Sequence, residues 1–358
     1  MGGAYDNLED YIRQAEPKSR ERGRIWQTAI GLQDVDGLTT SDYLLETARR
    51  NIDGAITVRE ASELIHSYYQ ARPAHSAEER TEEADKVAAH IAEVLSEDAF
   101  VFSVNQLLSI HGRLFTGVYE FAGKVRDYNI SKREWVLDGR SVTYAGADMI
   151  RQTLDYDFEQ ERAFDYRGLS VDEAVDHLVG FIAYLWQIHP FGEGNTRTTA
   201  VFAIKYLRSL GFQVGNELFD RYSWYFRNAL VRANYSDIDA GIYEDRSFLT
   251  LFFRNLLLGE DHELKNRYLH VGYDEIARKS HDDVGANVGA NVGANDLTKT
   301  EVQILDVMRR NPRMTLAAVA EELELSRRHV ERLVASLKEK GFVQRIGAAK
   351  NGVWKVVD

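Results

Sequence analysis

Cysteine is absent from this chain of 358 residues, and proline occurs only 4 times. Without thiols the protein has no disulfide framework, no thiolate nucleophile and no thiolate metal site. No apolar run approaches the roughly 20 residues that span a bilayer, and the first residues lack the basic-then-apolar pattern of a signal peptide. We therefore predict a cytoplasmic protein without membrane contact.

Positive charge is also in short supply, since 56 acidic residues outnumber 44 basic ones and give a net charge of −12. This excess argues against nucleic-acid binding by the chain as a whole, although a total can hide a local basic surface. Hydrophobic residues make up 44% of the sequence, which is enough for a sizeable core and two or three structural units.

The hydrophobic residues recur mostly at helical spacing, which predicts a mainly α-helical fold. The exception is 124–144, where β-branched and aromatic residues alternate with polar ones around the turn signal Asp138-Gly139. This segment predicts a β-hairpin.

The clearest domain boundary is 276–296, where VGAN occurs three times in succession and predicts a flexible linker. After it, 297–358 shows the helix–helix–helix–hairpin order of a winged helix, with more basic than acidic residues. Arg327, Arg328 and Arg332 lie at the start of its third helix, where a recognition helix meets DNA. The alternatives are a solvated helix face or a module that binds protein.

The most informative stretch is 189–200, which reads HPFGEGNTRTTA. A buried helix is predicted to begin at Ser170 and to end at His189, because Pro190 disfavours the helical conformation in the residue before it. A second buried helix begins at about Asn195, after glycines that allow a sharp turn.

A helix N-terminus behind a glycine-containing turn binds anions, because its first N–H groups and its dipole point at one spot. Arg197 can bind a phosphate oxygen, Glu193 can bind Mg²⁺, and His189 can accept a proton near pH 7. Together these residues indicate phosphoryl or nucleotidyl transfer. Taken singly, the histidine fits a helix C-cap and the glutamate a solvated surface.

This motif resembles the signature of the Fic family, His-Pro-Phe-x-(Asp/Glu)-Gly-Asn-Gly-Arg-x-x-Arg. The resemblance extends over roughly 85–270, with 126–144 at the position of the family's flap hairpin. It implies a Fic-type helical bundle at 85–275 that carries a β-hairpin flap and follows an N-terminal helical region, 1–84. It also implies Mg²⁺-dependent transfer of AMP from ATP to a hydroxyl side chain of a target protein or of the enzyme itself. A homodimer, and DNA bound through the C-terminal domain, are further candidate partners.

Carried onto this sequence, the resemblance makes His189 the base that deprotonates the target hydroxyl, Glu193 the Mg²⁺ ligand and Arg197 the contact to the β-phosphate. In the downstream helix, Tyr225 and Asn228 are candidates for adenosine contact or for ordinary packing. The further nucleotide-binding candidates are Phe191, Gly192, Gly194, Asn195 and Thr196.

Two positions depart from the family pattern. Thr196 replaces the second glycine, which is permitted if the backbone there is helical, and Ala200 replaces the final arginine, which in the family holds the γ-phosphate. Either another basic residue substitutes for it, or the donor is held less tightly at its tail, or the donor is a different nucleotide or a diphosphate.

The family's inhibitory motif, Ser/Thr-x-x-x-Glu-Gly, is also degenerate here. Aligned on Gly54, Arg49 stands at the hydroxyl position and Asp53 at the glutamate position. We predict that the usual glutamate brake is missing or is replaced by a different one. The alternative is a plain helix–turn–helix joint, with Thr57 and Glu60 capping the next helix.

Two other functions remain open on the sequence alone. The protein could be a DNA-binding regulator whose Fic-like domain senses a nucleotide without transferring it. It could also transfer another phosphate-linked group, such as UMP, phosphate or phosphocholine.

Overall fold

A computed structural model of the chain describes residues 16–71, 79–212, 217–273, 299–312, 314–323, 343–346 and 353–356, with single positions at 8, 11, 12, 214, 330, 333, 334, 337 and 338. The predicted linker and the arginines Arg327, Arg328 and Arg332 lie outside the described residues. The chain divides into two compact units, Met1–Asp282 and Asp283–Asp358. The finer division into four parts stays a prediction.

The first unit is built mainly from helices, and its long connection, 116–149, carries no strand. In chain order the helices are α1 (Pro17–Gly31), α2 (Asp42–Ile52), α3 (Val58–Gln70), α4 (Glu79–Leu95), α5 (Val104–Phe115), α6 (Ile150–Ala163), α7 (Val171–Ile188), α8 (Asn195–Ser209), α9 (Glu217–Arg221), α10 (Ser223–Arg232) and α11 (Ser247–Leu258). Short 3₁₀ turns lie at Leu32–Asp36, Trp135–Leu137 and Asn266–Leu269. The predicted mainly α-helical fold is confirmed, and none of the described helices has the length and apolarity to cross a bilayer.

Side-chain caps fix where several helices begin. Thr57 and Glu60 form a complete capping box at the start of α3, and Ser170 and Glu173 form another at the start of α7. Each box satisfies two backbone groups that a helix start otherwise leaves unpaired. Both were predicted from the sequence, and both are confirmed.

The core lies around α8, which is buried on every side from Asn195 to Leu207. Helix α8 packs on α5 and α7, and aromatic rings of Phe102, Phe158 and Phe202 fill the space between these helices. Each fully buried phenylalanine contributes about 2 kcal/mol or more relative to an exposed one. The rigid centre of the unit therefore holds the start of α8.

The predicted β-hairpin at 124–144 is wrong in its strands but right in its turn. Asp138 and Gly139 adopt φ values of 56° and 79°, and the amide of Glu134 donates to the carbonyl of Arg140 at 3.0 Å. No strand forms in this fully described segment. The reason is that the adjacent residues Val136 and Leu137 are both buried, whereas a strand would place them on opposite faces. We call 124–144 the flap.

The second unit contains α12 (Lys299–Arg310), α13 (Leu316–Glu322), β1 (Val343–Ile346) and β2 (Val353–Val356). The two strands pair antiparallel, with Val343 opposite Val356. Trp354 lies in a small core of its own and donates its indole N–H to the carbonyl of Met314 at 3.1 Å. The predicted first two helices and the hairpin are confirmed. The third helix lies mostly outside the described residues.

Candidate active site

The loop between α7 and α8 carries the motif. Helix α7 ends at Ile188, and His189 follows in the left-handed conformation with φ 50°. This helix end was predicted from Pro190 and is confirmed. Gly194 is the N-cap of α8, also left-handed with φ 76°. Since a non-glycine residue in this region is strained, neighbouring groups must hold His189 in place.

Gly194 is required by the close approach of a neighbouring side chain. A Cβ there would lie 2.2 Å from the ring of Phe115, which is fully buried. A Cβ on Gly192 would lie 2.6 Å from the hydroxyl of Tyr128, the end of a half-exposed side chain that can shift. Gly194 therefore lets the loop pack against α5.

His189 is buried, with 3% of its surface exposed. Its Nδ1 lies 3.1 Å from the carbonyl oxygen of Trp186. A carbonyl only accepts hydrogen bonds, so Nδ1 carries the proton and Nε2 keeps its lone pair. The ring of Tyr144 lies 4.2 Å from the imidazole, centroid to centroid, and covers it. The imidazole is thus fixed in orientation and in tautomer.

Burial lowers the pKa of His189 well below its usual 6.5, and the nearby cations Lys132, Arg126 and Arg227 lower it further. Both causes disfavour the charged form. The imidazole is therefore neutral at pH 7 and able to accept a proton.

Arg126 holds the loop and the flap together. Its guanidinium donates to the carbonyls of His189 at 2.8 Å, Tyr128 at 2.6 Å and Ala145 at 2.6 Å. Its own amide donates to the carbonyl of Pro190 at 2.9 Å. Charge-assisted hydrogen bonds of this kind contribute about 1.5–3 kcal/mol each. The hydrogen bonds from Arg126 therefore stabilise His189 in its strained conformation.

The middle of the loop is braced by Asn195 and His111. Asn195 donates to the carbonyl of Phe191 at 2.8 Å and accepts from its amide at 2.9 Å. The ring of His111 stacks on Phe191 at 3.7 Å, and its Nε2 lies 3.1 Å from the carbonyl of Glu193. Its Nδ1 accepts from the amide of Gly123 at 2.8 Å. In this structure Asn195 and Phe191 act on the loop itself.

Burial lowers the pKa of His111 to about 4. With Nδ1 accepting from Gly123, the proton of the neutral ring sits on Nε2, which donates to Glu193. A second proton would have to go to Nδ1 and would break the bond to Gly123. His111 therefore braces the loop only in its neutral form.

Glu193 projects from the loop and is half-exposed. Its Oε2 lies 2.8 Å from the ammonium of Lys132 on the flap. The described residues contain no group of three or more acidic or histidine side chains that could hold a metal. One carboxylate suits Mg²⁺ that also binds substrate phosphates, and the Lys132 ammonium shows that this carboxylate accepts a cation. The residues present fit a nucleotide-bound magnesium.

Arg197 is almost completely buried in the first turn of α8, with 1% of its side chain exposed. Its Nη1 donates to the amide oxygen of Gln33 at 3.0 Å, and its Nη2 donates to Glu83 at 2.7 Å. Its Nε lies 2.8 Å from Asp36, although the N–H does not point squarely at that oxygen. Burial alone would lower the pKa of Arg197, but the two carboxylates and Tyr119 raise it, so the guanidinium stays charged.

The two departures from the motif have clear surroundings. Thr196 lies in the helical first turn of α8, where its hydroxyl accepts from the indole N–H of Trp186 at 3.0 Å. The side chain of Thr196 therefore has a hydrogen-bond partner on α7. Ala200 is completely buried in the core. A charged side chain would be costly at that position without a partner.

The predicted adenosine contacts lie on α10. Tyr225 is buried and donates its hydroxyl to the carbonyl of Phe248 at 3.2 Å. Asn228 is also buried and donates to the side chain of Asn266 at 2.7 Å, while its own Oδ1 has no hydrogen-bond partner among the described residues. Their role in nucleotide binding stays a prediction.

The degenerate inhibitory residues lie at the end of α2. Asp53 is exposed, is the C-cap of α2 and accepts a hydrogen bond from the hydroxyl of Tyr11. Gly54 follows with φ 78°, and Arg22 binds the carbonyl of Ile52 at 2.6 Å. Asp53 and Gly54 thus form the turn between α2 and α3, and the loss or replacement of the glutamate brake stays a prediction.

The sequence did not single out five residues that this site uses. Arg126, His111 and Lys132 lie in the region that resembles the family, but no spacing rule marks them. Asp36 and Glu83 come from the N-terminal region and reach Arg197 only through the fold. A signal was available for Arg126 and Lys132, as basic residues on the flap.

Comparisons with known proteins agree with this architecture. Residues 101–207 match the family model described as Fic/DOC family, and residues 297–344 match winged helix-turn-helix DNA-binding. Two parts of the chain are therefore similar to a Fic domain and to a winged helix-turn-helix domain, in that order. The chain is similar to the protein adenylyltransferase VbhT of Bartonella schoenbuchensis, with 27% identity over 175 residues. This match covers 49% of the chain and 35% of that relative, so the chain spans about a third of its length.

The solved structures to which the chain is similar include two Fic proteins. One is a Fic family protein from Desulfovibrio desulfuricans G20, at 13% identity over 99% of this chain and 96% of that one, with a TM-score of 0.44. The other is the N-terminal Fic domain of a cell filamentation protein from Bartonella quintana with bound ADP. Its identity is 20% over 52% of this chain and 90% of that one, with a TM-score of 0.38.

Proposed function

We propose that this protein is a protein adenylyltransferase, which transfers AMP from ATP to a hydroxyl side chain of a target protein. The proposal rests above all on His189, a neutral and buried imidazole whose Nδ1–H is held by the Trp186 carbonyl. A domain that only senses a nucleotide needs no such base. The relative named as a protein adenylyltransferase supports the same chemistry.

In the proposed reaction the hydroxyl oxygen of the target attacks the α-phosphorus of ATP. A new phosphorus–oxygen bond forms to the target, and the bond between the α-phosphorus and the bridging oxygen breaks. Pyrophosphate leaves with that bridging oxygen, and the hydroxyl proton passes to Nε2 of His189. Such proton transfer contributes typically 10²–10⁴-fold to a rate.

The start of α8 would bind the phosphates. Its first amides have no partner within the helix, and its dipole favours negative charge there. Glu193 would hold the magnesium ion, which neutralises phosphate charge when bound. Gly194, Asn195 and Thr196 lie at this helix start, where their amides would bind the α-phosphate.

The flap would receive the target. It forms no strand of its own, so those of its backbone groups that have no partner in the fold are available to an incoming strand. Tyr128 and Trp135 expose 53% and 49% of their surface there, and exposed aromatic residues of this size are typical of protein-binding surfaces. The target class is therefore a protein segment, the enzyme itself included.

Labelled ATP tests the proposal directly. The full chain is incubated with Mg²⁺ and a cell lysate, once with the label on the α-phosphate and once on the γ-phosphate. We expect the α-label alone to enter protein, and His189→Ala to abolish it. His66→Ala, an exposed histidine on α3, is the matched control. Equal labelling by His189→Ala and the parent, or label from the γ-phosphate, would contradict the proposed reaction.

For the second unit we propose DNA binding, which the family match at 297–344 supports. Arg327, Arg328 and Arg332 are the candidate contacts. The full chain and a triple alanine variant at these positions should differ in their retention of duplex DNA on native gels, and equal retention would exclude these arginines as contacts. The cytoplasmic location and the homodimer stay predictions from the sequence.

A further inference from the structure

The guanidinium of Arg197 has a partner on each of its three nitrogens. Asp36 lies at Nε, Gln33 at Nη1 and Glu83 at Nη2. The hydroxyl of Tyr119 donates to Glu83 at 2.7 Å and closes the group. Because only 1% of the Arg197 side chain is exposed, a phosphate oxygen that approaches it has to displace a neighbouring group. We call Asp36 and Glu83 the acid pair.

The charges of this cluster do not balance. One buried cation faces two carboxylates, so the cluster carries an excess of negative charge beside the helix start where an anionic donor would bind. A single carboxylate would be enough to neutralise Arg197. The second one stabilises the arginine further and repels a di- or triphosphate.

The acid pair can move more easily than the arginine. The side chains of Asp36 and Glu83 are 33% and 21% exposed, whereas that of Arg197 is 1% exposed. Rotating a carboxylate into water therefore costs less free energy than moving the guanidinium. The guanidinium is buried and would lose the partners that stabilise its charge away from water. The misaligned N–H at Asp36 indicates that this contact is the weaker of the two.

The backbone beneath Asp36 is held independently of its side chain. Arg80 on α4 donates to the carbonyls of Asp36 at 3.0 Å and Gly37 at 3.3 Å. The turn therefore stays in place when the carboxylate leaves Arg197. Release of the arginine requires side-chain rotation only.

We propose that Asp36 and Glu83 set the donor affinity of this site by competing with the β-phosphate of the nucleotide for Arg197. This inference rests on the proposed function and deepens it. In this proposal the acid pair takes the inhibitory role that the family's glutamate has. The structure offers no basis for that role at Asp53, which is exposed, or at Ala200, which is buried. The acid pair competes with the phosphate groups beyond the α-phosphate. It therefore weakens the binding of ATP and ADP and leaves the binding of AMP unchanged.

The test uses the full chain and two isosteric variants, Asp36→Asn and Glu83→Gln, which keep a hydrogen-bonding side chain and remove one charge. Calorimetry with Mg²⁺ gives the affinities for ATP, ADP and AMP. We expect each variant to bind ATP and ADP about fivefold more tightly, the effect of a partly exposed ion pair, with AMP unchanged. Glu79→Gln, an exposed glutamate of the same helix, is the matched control and should change nothing.

The outcomes separate the acid pair from the proposed reaction. If both variants fold with melting temperatures near the parent's and bind ATP no more tightly than it does, the competition is refuted. A lower melting temperature without any gain in affinity would show that the pair only stabilises the fold, and would also overturn it. A gain in ATP affinity without His189-dependent transfer would support the competition and refute the adenylyltransferase.

Discussion

The two sides of the HPFGEGNTR loop differ in the charge of the groups that bind their arginines. On one side, which we call the base side, Arg126 binds only carbonyl oxygens and the neutral His189 lies beneath Tyr144. On the other, which we call the phosphate side, Arg197 is bound by two carboxylates. The base side is ready for its reaction in the structure as it stands. The phosphate side has to exchange partners before it can bind an anion.

This difference teaches that burial alone does not tell whether a motif residue is poised to act. His189 and Arg197 are both almost completely buried. The partners decide: a carbonyl at Nδ1 leaves the other nitrogen basic, whereas the carboxylates on Arg197 compete directly with a substrate phosphate.

The largest effect is expected from breaking the base side at Arg126. Arg126→Gln removes the fork that holds His189, and a misplaced base loses on the order of 10- to 100-fold in the rate of label transfer. It also removes a cation that lowers the pKa of His189. The acid limb of the pH–rate profile, which lies below pH 6.5 in the parent, should therefore move upward.

Arg126→Lys separates the two contributions of Arg126. It keeps the charge and loses the fork, so its rate should fall while the acid limb stays in place. Arg133→Gln, an exposed neighbour on the flap, is the control for a change in total charge. A limb that stays in place in Arg126→Gln would show that Arg126 acts on the fold alone.

Acidification should weaken the brace of the loop at His111. Its pKa is about 4 in the folded chain and near 6.5 when unfolded, so below pH 6.5 the unfolded state takes up a proton that the folded state does not. This contribution to stability is complete above pH 6.5 and falls as the pH drops toward 4, by at most about 3 kcal/mol. Urea unfolding at pH 7.5 and 5.0 measures the loss.

His111→Gln removes this titration and should lose less stability over the same pH interval. Other buried histidines, among them His90 and His189, contribute to the parent's loss and are unchanged in the variant. His66→Gln, exposed on α3, is the matched control. The same pH dependence in His111→Gln and the parent would rule out His111 as its source.

The smallest effect is expected at Lys132, which places a cation on the carboxylate of Glu193. In the proposed function, a magnesium ion on Glu193 would compete with that ammonium. Lys132→Ala should therefore lower the Mg²⁺ concentration for half-maximal ATP binding about threefold, as for other half-exposed ion pairs. Arg133→Ala is the control, and an unchanged or raised Mg²⁺ requirement would contradict the competition.

Local sequence rules predicted the helix ends and the turn that form the site. They did not predict the side chains that contact it from distant parts of the chain. Pro190 fixed the end of α7, the capping box at Ser170 fixed its start, and the glycines fixed the turn into α8. Each of these signals lies within a few residues of its effect. The resemblance to the Fic family and the order of elements in a winged helix were recognisable for the same reason, since they depend on short, local patterns.

The rest depended on contacts between distant parts of the chain. Asp36 and Glu83 reach Arg197 across more than a hundred residues, and no periodicity relates them. The strands predicted for the flap do not form, because Val136 is buried in the core and its carbonyl accepts a hydrogen bond from the amide of Val271. Alternation of polar and apolar residues cannot reveal such a tertiary contact.

The ring of Phe115 contacts both the glycine turn and the first turn of α8. It leaves no room for a Cβ at Gly194, and the guanidinium of Arg197 lies 4.9 Å from its centre. A smaller residue here would open space behind the turn and strip a cation–π contact from the arginine in the same step. We therefore expect positions 115, 194 and 197 to covary among relatives, so that their evolutionary history follows one shared constraint.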